Sequence, residues 1–350
     1  MKAPVLKGRR TMRYEELPDP TPGEGEVVVA VALSGICGSD LHLYDSDMAP
    51  DGIVMGHEFG ATIAELGKGV SGWSVGDRVV GAPPPPCMNC VFCLKGEFVL
   101  CYQHYRLDMQ RAGIVGDAGA SLGAGGYGPL TKISEPRLMR VPDSLDDQQA
   151  ASIEPAAVGF HAVKLSGMQH GDRVAILGAG PIGLFTLQCA IAAGATRVVV
   201  AEPAPGRAAV ARTLGAELLL NPRELDDLPG GIADALGGAP GVVFDAAGVP
   251  ATLQQAVDVV KPGGSVMMVG VSFEPAPILP VTWVTKRVTV RAAFAYSRSD
   301  YEATIAMLER RTIRVEPLIT SVVPGSETAL AFERLLAPND EIKVLVDPRK

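Results

Sequence analysis

The sequence predicts an α/β protein of two domains, a β-rich unit followed by a doubly wound parallel sheet. Three observations predict it. The chain has 350 residues, more than one hydrophobic core usually serves, so two domains with a cleft between them are expected. Up to about residue 150, short Val/Ile/Ala runs alternate with Gly, Pro and Asp. From about 170 the texture changes to apolar strands separated by Ala-rich helical stretches, the pattern of parallel βαβ units. Finally, Gly178-Ala179-Gly180-Pro181-Ile182-Gly183 lies between an apolar strand and a helical stretch.

Composition narrows the function classes. Hydrophobic residues make up 47% and charged residues 20%, which is too apolar for disorder. A formal charge of −8 argues against a nucleic-acid partner, which needs a basic face to release counterions. The N-terminus lacks the apolar stretch of a secretory signal, so a cytoplasmic setting is expected. The uncharged run between Arg173 and Arg197 is long enough to mimic a membrane span. It contains Gly178, Gly180, Pro181, Gly183 and Gly194, however, and reads as a turn and a helix. No membrane partner is expected.

In the first unit, residues 27–33 read as a strand, and the Pro83–Pro86 run and residues 112–130 read as loops. In the second, strands are expected at 174–177, 198–201, 242–245 and 266–269. A helix at 301–311 and a short strand at 342–346 close the chain.

The glycine motif gains weight from its context. It follows a strand, Pro181 suits the first turn of a helix, and Gly194 suits the end of that helix. A second strand then ends in Glu202, about twenty residues after the motif. Such a turn needs Gly178 for its tightness, Gly180 for close approach of a pyrophosphate to backbone, and Gly183 for helix–strand packing. Glu202 would accept hydrogen bonds from ribose hydroxyls and repel a 2′-phosphate, favouring NAD over NADP. Arg207 weakens that preference.

Six cysteines are present, four of them crowded together as Cys87, Cys90, Cys93 and Cys101. Four thiolates within fifteen positions can close a tetrahedral zinc shell. An iron–sulfur run begins the same way, but there the fourth cysteine follows after three residues with a proline behind it. Here the gap is seven and Tyr102 follows. A closed shell leaves no place for substrate, so chemistry needs a second site. Cys37 and the pair His57-Glu58 are candidates of open, catalytic composition, although their spacing alone does not assemble them. Cys189 reads as a buried core residue.

Gly35-Ile36-Cys37-Gly38-Ser39-Asp40 with His42, Gly56-His57-Glu58, the four-cysteine lobe, Glu154-Pro155 and the 178–183 turn resemble, in that order, the zinc-containing medium-chain alcohol dehydrogenases. The sorbitol, butanediol and threonine dehydrogenase branch is the nearest likeness, over nearly the whole chain. The resemblance implies a GroES-like catalytic domain (1–155, structural zinc lobe 87–101), a Rossmann domain (156–292), and a C-terminal segment (293–350) returning to the first. It implies zinc-dependent hydride transfer between an alcohol and NAD, with one catalytic and one structural zinc per chain.

Cys37 and His57 resemble catalytic zinc ligands, Glu58 the adjacent carboxylate, and Asp40 the acid that orients the ligand histidine. Glu154 stands where liver-type relatives have a ligand cysteine, so either Glu58 or Glu154 is left to bind zinc directly. Ser39 and His42 resemble a proton relay running from alcohol through the cofactor ribose to solvent. Val269 and Val271 are expected along the cofactor. His161 is read as packing, and His104 and His170 as surface residues.

Phe294-Ala295-Tyr296 resembles a segment of polyol and butanediol dehydrogenases, which points to secondary alcohols or polyols as substrates. The implied partners are a small alcohol or ketone and further copies of the chain, in a homodimer or homotetramer. Two other readings stand beside this one: a zinc-free quinone or enoyl reductase of the same superfamily, and a non-catalytic zinc- or nucleotide-binding relative.

Overall fold

A computed structural model describes residues 1–49, 51–83, 85–102, 125–337 and 339–350. Two larger sheets organise the chain. The first is built on one long strand, Glu26–Gly35, which carries the apolar run Val-Val-Val-Ala-Val-Ala-Leu. Its burial is nearly continuous, relieved only at Glu26, Ala30 and Ala32. It pairs antiparallel with Glu58–Leu66 on one side. On the other it pairs with Leu130–Ser134 at its start and with Lys343–Asp347 at its end. Arg78–Gly81 and Leu138–Arg140 continue the sheet beyond Glu58–Leu66, and Ile319–Pro324 lies parallel to Lys343–Asp347. Residues from the two ends of the chain therefore share one sheet. A separate hairpin joins Lys2–Leu6 to Met12–Glu16.

The second sheet has six parallel strands in the order Leu218–Leu220, Arg197–Ala201, Arg173–Leu177, Val242–Asp245, Ser265–Met268, Thr289–Ala292. These strands are short apolar runs, as expected where helices cover both faces. The order reverses between Arg173–Leu177 and Val242–Asp245. Such a switch point leaves a crevice at the carboxyl ends of the strands, where ligands bind. The strands at Leu218–Leu220 and Thr289–Ala292 escaped the sequence reading, being short and, at the sheet edge, only partly buried.

Helix Ile153–Leu165 connects the sheets and packs on Pro181–Ala192. Gly159 makes that approach possible, because a Cβ there would lie 2.8 Å from the Thr186 amide. The helix expected at 301–311 runs Arg298–Glu309 instead. Ser297 caps it, its hydroxyl accepting from the Asp300 amide, so the helix begins earlier than its apolar pattern. The final strand is Lys343–Asp347, one residue later than read. Leu130 begins a strand and does not end a loop. Residues 112–124, Pro84 and His104 lie outside the described residues. His170 is exposed, Cys189 is buried, and no helix among the described residues is long and apolar enough to cross a membrane.

Asp300 ties the last long helix to Ile153–Leu165. Its buried carboxylate meets His161 Nδ1 at 2.8 Å and Lys164 Nζ at 2.8 Å, and accepts the Ser297 amide at 2.7 Å. His161 is thus a hydrogen-bonding partner of Asp300 as well as a packed ring. Burial opposes the charge on Asp300, but these donors outweigh it and hold the carboxyl well below the ordinary carboxylate range. Asp300→Ala should destabilise the protein by roughly 3–5 kcal/mol, the cost of breaking a buried pair, measured by chemical denaturation. Because the folded pKa is depressed, the gap from wild type is full above about pH 4. It closes as pH falls below that value.

Candidate active site

The Gly178–Gly183 turn leaves strand Arg173–Leu177 at the switch point and opens helix Pro181–Ala192, with Pro181 in its first turn. A Cβ on Gly183 would lie 2.1 Å from the Gly178 carbonyl oxygen, so no side chain fits there. Gly180 faces open space, leaving its backbone free to approach a ligand. Glu202 ends the next strand and braces the turn: its carboxylate accepts the Ala179 amide at 2.7 Å and the Ala204 amide at 2.8 Å. Arg207 points elsewhere, donating to the Glu341 carbonyl at 3.1 Å. Ile182 packs partly into the core, Val269 is buried, and Val271 is exposed just beyond strand Ser265–Met268. This edge offers helix N-terminal amides and open backbone, which fits a dinucleotide's phosphates.

The first sheet brings the other candidates together. Cys37 follows strand Glu26–Gly35 and precedes the short helix Gly38–Tyr44, while His57 and Glu58 enter the neighbouring strand. The ligand atoms of Cys37, His57 and Glu58 lie within 4.8 Å of one another. One sulfur, one nitrogen and one oxygen converging in this way fit an open zinc site.

Two residues hold its charges. Asp40, almost wholly buried, places Oδ1 at 3.4 Å from His57 Nδ1, leaving Nε2 for a metal. Lys343, from the final strand, pairs with Glu58 where both are buried, and its ammonium also donates to the Ile36 carbonyl at 3.0 Å. Glu154 stands outside the 4.8 Å group. Its carboxylate accepts the Tyr296 hydroxyl at 2.5 Å, and burial, with Glu58 adding to it against His57, pushes it up to about 7.

Ser39 is half-buried beside Cys37, and exposed His42 lies one helical turn on. The Phe273 ring, carried on the loop after strand Ser265–Met268, lies tilted over the His42 ring at 4.7 Å. The dinucleotide sheet thus reaches the helix that follows Cys37. Partial desolvation pulls His42 below its usual pKa, with Asp45 opposing.

The four lobe cysteines also converge, their sulfurs within 4.8 Å of one another, with Cys93 and Cys101 buried. Cys87 Sγ and Cys93 Sγ are 3.8 Å apart, and the Cys87 amide faces Cys101 Sγ at 3.4 Å. Backbone amides at Cys93 and Tyr102 draw the Cys90 thiol down to about 6, favouring the thiolate that a zinc ion needs.

The model of the alcohol dehydrogenase GroES-like domain matches residues 23–143, and that of zinc-binding dehydrogenases matches 181–310. (R,R)-butanediol dehydrogenase of Bacillus subtilis is 33% identical over 364 residues, covering 99% of this chain and 100% of the relative. The chain belongs to the zinc-type medium-chain alcohol dehydrogenases. Sorbitol dehydrogenase of the same organism is 32% identical, covering 100% of this chain and 98% of its own. The crystal structure of 2R,3R-butanediol dehydrogenase from Bacillus subtilis matches with a TM-score of 0.85 at 31% identity, over 99% of each chain. A structure from Sinorhizobium meliloti 1021, designated a zinc-binding dehydrogenase and bound to NADP, matches with a TM-score of 0.86 at 29% identity, over 99% of each. This dehydrogenase is therefore a nicotinamide- and zinc-dependent oxidoreductase of alcohols, with a small-molecule substrate.

Lys343, Tyr127 and Phe273 were missed from sequence. A lysine inside the apolar run Ile342-Lys343-Val344-Leu345-Val346 is a signal in its own right, since an unpaired charge has no place in a buried strand. Nothing local marks the other two. Removing the Phe273 ring rehydrates His42, so Phe273→Ala should raise the His42 titration midpoint toward about 6.5. Proton NMR of the imidazole measures it; an unmoved midpoint would mean that Phe273 does not desolvate the ring.

Proposed function

We propose that this dehydrogenase oxidises a secondary alcohol or polyol with NAD, or reduces the matching ketone, at a centre built from Cys37, His57 and Glu58. The observation that carries this is the convergence of those three ligand atoms within 4.8 Å on the sheet whose adjoining helix meets the dinucleotide sheet at His42 and Phe273. A zinc ion held there would act as a Lewis acid and lower the pKa of a bound alcohol. Ser39, beside Cys37, would accept the hydroxyl proton as it passes its own on toward His42, and exposed His42 would return a proton to solvent. Asp40 fixes the His57 ring, and Lys343 balances the charge of Glu58. Glu154, held by Tyr296 outside the ligand group, would reach a metal there through water. Cys87, Cys90, Cys93 and Cys101 would hold a second, structural zinc.

Gly178, Gly180, Pro181, Ile182 and Gly183 take the pyrophosphate, with Val269 and Val271 along the cofactor. Buried Glu202 supports NAD over NADP, because a 2′-phosphate beside a desolvated carboxylate is repelled. Arg207 does not offset it, being bonded to Glu341. The butanediol and sorbitol specificities of the relatives, and Tyr296 beside the centre, support secondary alcohols and polyols.

Strand pairing supports a division into residues 1–155 with 293–350 and residues 156–292. The open edge strand Thr289–Ala292 and the exposed apolar residues Ile278, Leu279, Val281 and Val284 support pairing with a second copy, in a homodimer or homotetramer. Six free thiols suit a reducing cytoplasm.

With a panel of secondary alcohols and polyols, kcat/KM should be higher with NAD than with NADP. Cys37→Ser should lower turnover by about 10³-fold or more, the scale of losing several kcal/mol of charge stabilisation, and remove one of two zinc ions per chain. Unchanged turnover and metal content in that variant would refute the centre.

A further inference from the structure

Tyr127 takes no part in the chemistry above, yet its position is unusual. It is fully buried, and its hydroxyl donates to Asp40 Oδ2 at 2.5 Å, with the Gly35 carbonyl a weaker acceptor at 3.3 Å. The Cys37 amide donates to the same Oδ2 at 3.2 Å. One oxygen of Asp40 thus receives two donors, and the other is left facing His57 Nδ1.

The backbone makes a second, independent connection. The Tyr127 amide donates to the Met55 carbonyl at 3.0 Å and the Gly126 amide to the Gly56 carbonyl at 3.0 Å, so this segment is bonded to the two residues that precede His57. Its ring lies so close to Gly56 that a Cβ there would meet the Tyr127 amide at 2.8 Å and the ring at 2.9 Å.

We propose that Tyr127 is a positioning residue of the metal centre, its hydroxyl fixing the Asp40 carboxylate and, through it, the ring orientation and tautomer of His57. This rests on the Cys37, His57 and Glu58 centre proposed above. A carboxylate without a donor on Oδ2 can rotate and divide its acceptors between Cys37 and His57. With Oδ2 held, Oδ1 stays facing Nδ1 at 3.4 Å, which would leave the Nε2 lone pair toward a metal. A hydroxyl that merely satisfied a core polar atom would leave metal binding untouched, which makes the two roles separable.

The test is Tyr127→Phe, which keeps the ring and removes only the hydroxyl. Zinc-loaded protein is mixed with a colorimetric chelator and release is followed. Cys37→Ser identifies the phase that belongs to the catalytic site. Removal of such a supporting partner typically weakens metal affinity about 10–100-fold, so that phase should accelerate by a similar factor while release from the four-cysteine lobe stays unchanged. Cobalt(II) placed at the catalytic site should show displaced ligand-field bands in the variant.

Unchanged catalytic-site release and unchanged cobalt bands, whatever the melting temperature, overturn the inference and leave the metal centre standing. A release trace that Cys37→Ser does not alter overturns the metal centre, and this inference with it. One measurement is independent of how the variant folds. In the unsubstituted zinc-loaded protein the Tyr127 hydroxyl proton should give a downfield, slowly exchanging NMR signal, and its absence would refute the hydrogen bond itself.

Discussion

Glu58 and Asp40 are carboxylates almost cut off from water, at 1% and 2% exposure, and the chain around them is arranged to make that tolerable. A lone buried charge costs several kcal/mol, so each must meet a partner in fixed geometry. Glu58 meets Lys343, which obliges the last strand to lie beside strand Glu26–Gly35. Asp40 meets His57, Tyr127 and the Cys37 amide, which obliges Tyr127 to pack against the short helix. The pairing that joins the two ends of the chain and the convergence of the metal ligands thus answer one electrostatic demand.

The dinucleotide sheet meets a different constraint. Its strand order reverses beside the glycine turn, and the loops at that edge include the one carrying Phe273 to His42. An aromatic ring over an imidazole at this junction makes the surroundings of His42 sensitive to how the loop lies. The Asp300 cluster, on the helix after the last parallel strand, grips Ile153–Leu165 and gives the two sheets a common strut.

The features legible in the sequence are those whose determinants are local. The glycine turn, the acid after the second strand and the four-cysteine lobe each fall within a short window, so spacing alone reveals them. Cys37 and His57 needed the family resemblance, because helix Gly38–Tyr44 and the loop after it intervene before they meet. Lys343 stands out in its apolar run, but its partner and that of Tyr127 were illegible for the same reason in stronger form: these carboxylates lie 285 and 87 residues away in the chain. Element ends failed where capping overrode periodicity, as at Ser297, and strands failed where burial was partial, as at Leu218–Leu220 and Thr289–Ala292.

The ion pair between Lys343 and Glu58 also sets an order of events. Cys37, His57 and Glu58 are all made early, whereas the lysine that neutralises one of them is made 285 residues after Glu58. At about 5–20 residues per second the interval is roughly 15–60 s of synthesis. Throughout it Lys343 is not there to pair with Glu58, and strand Glu26–Gly35 lacks the neighbour that Lys343–Asp347 provides. Closing of the sheet by the final strand is therefore also the moment at which the centre acquires its dry, neutralised form.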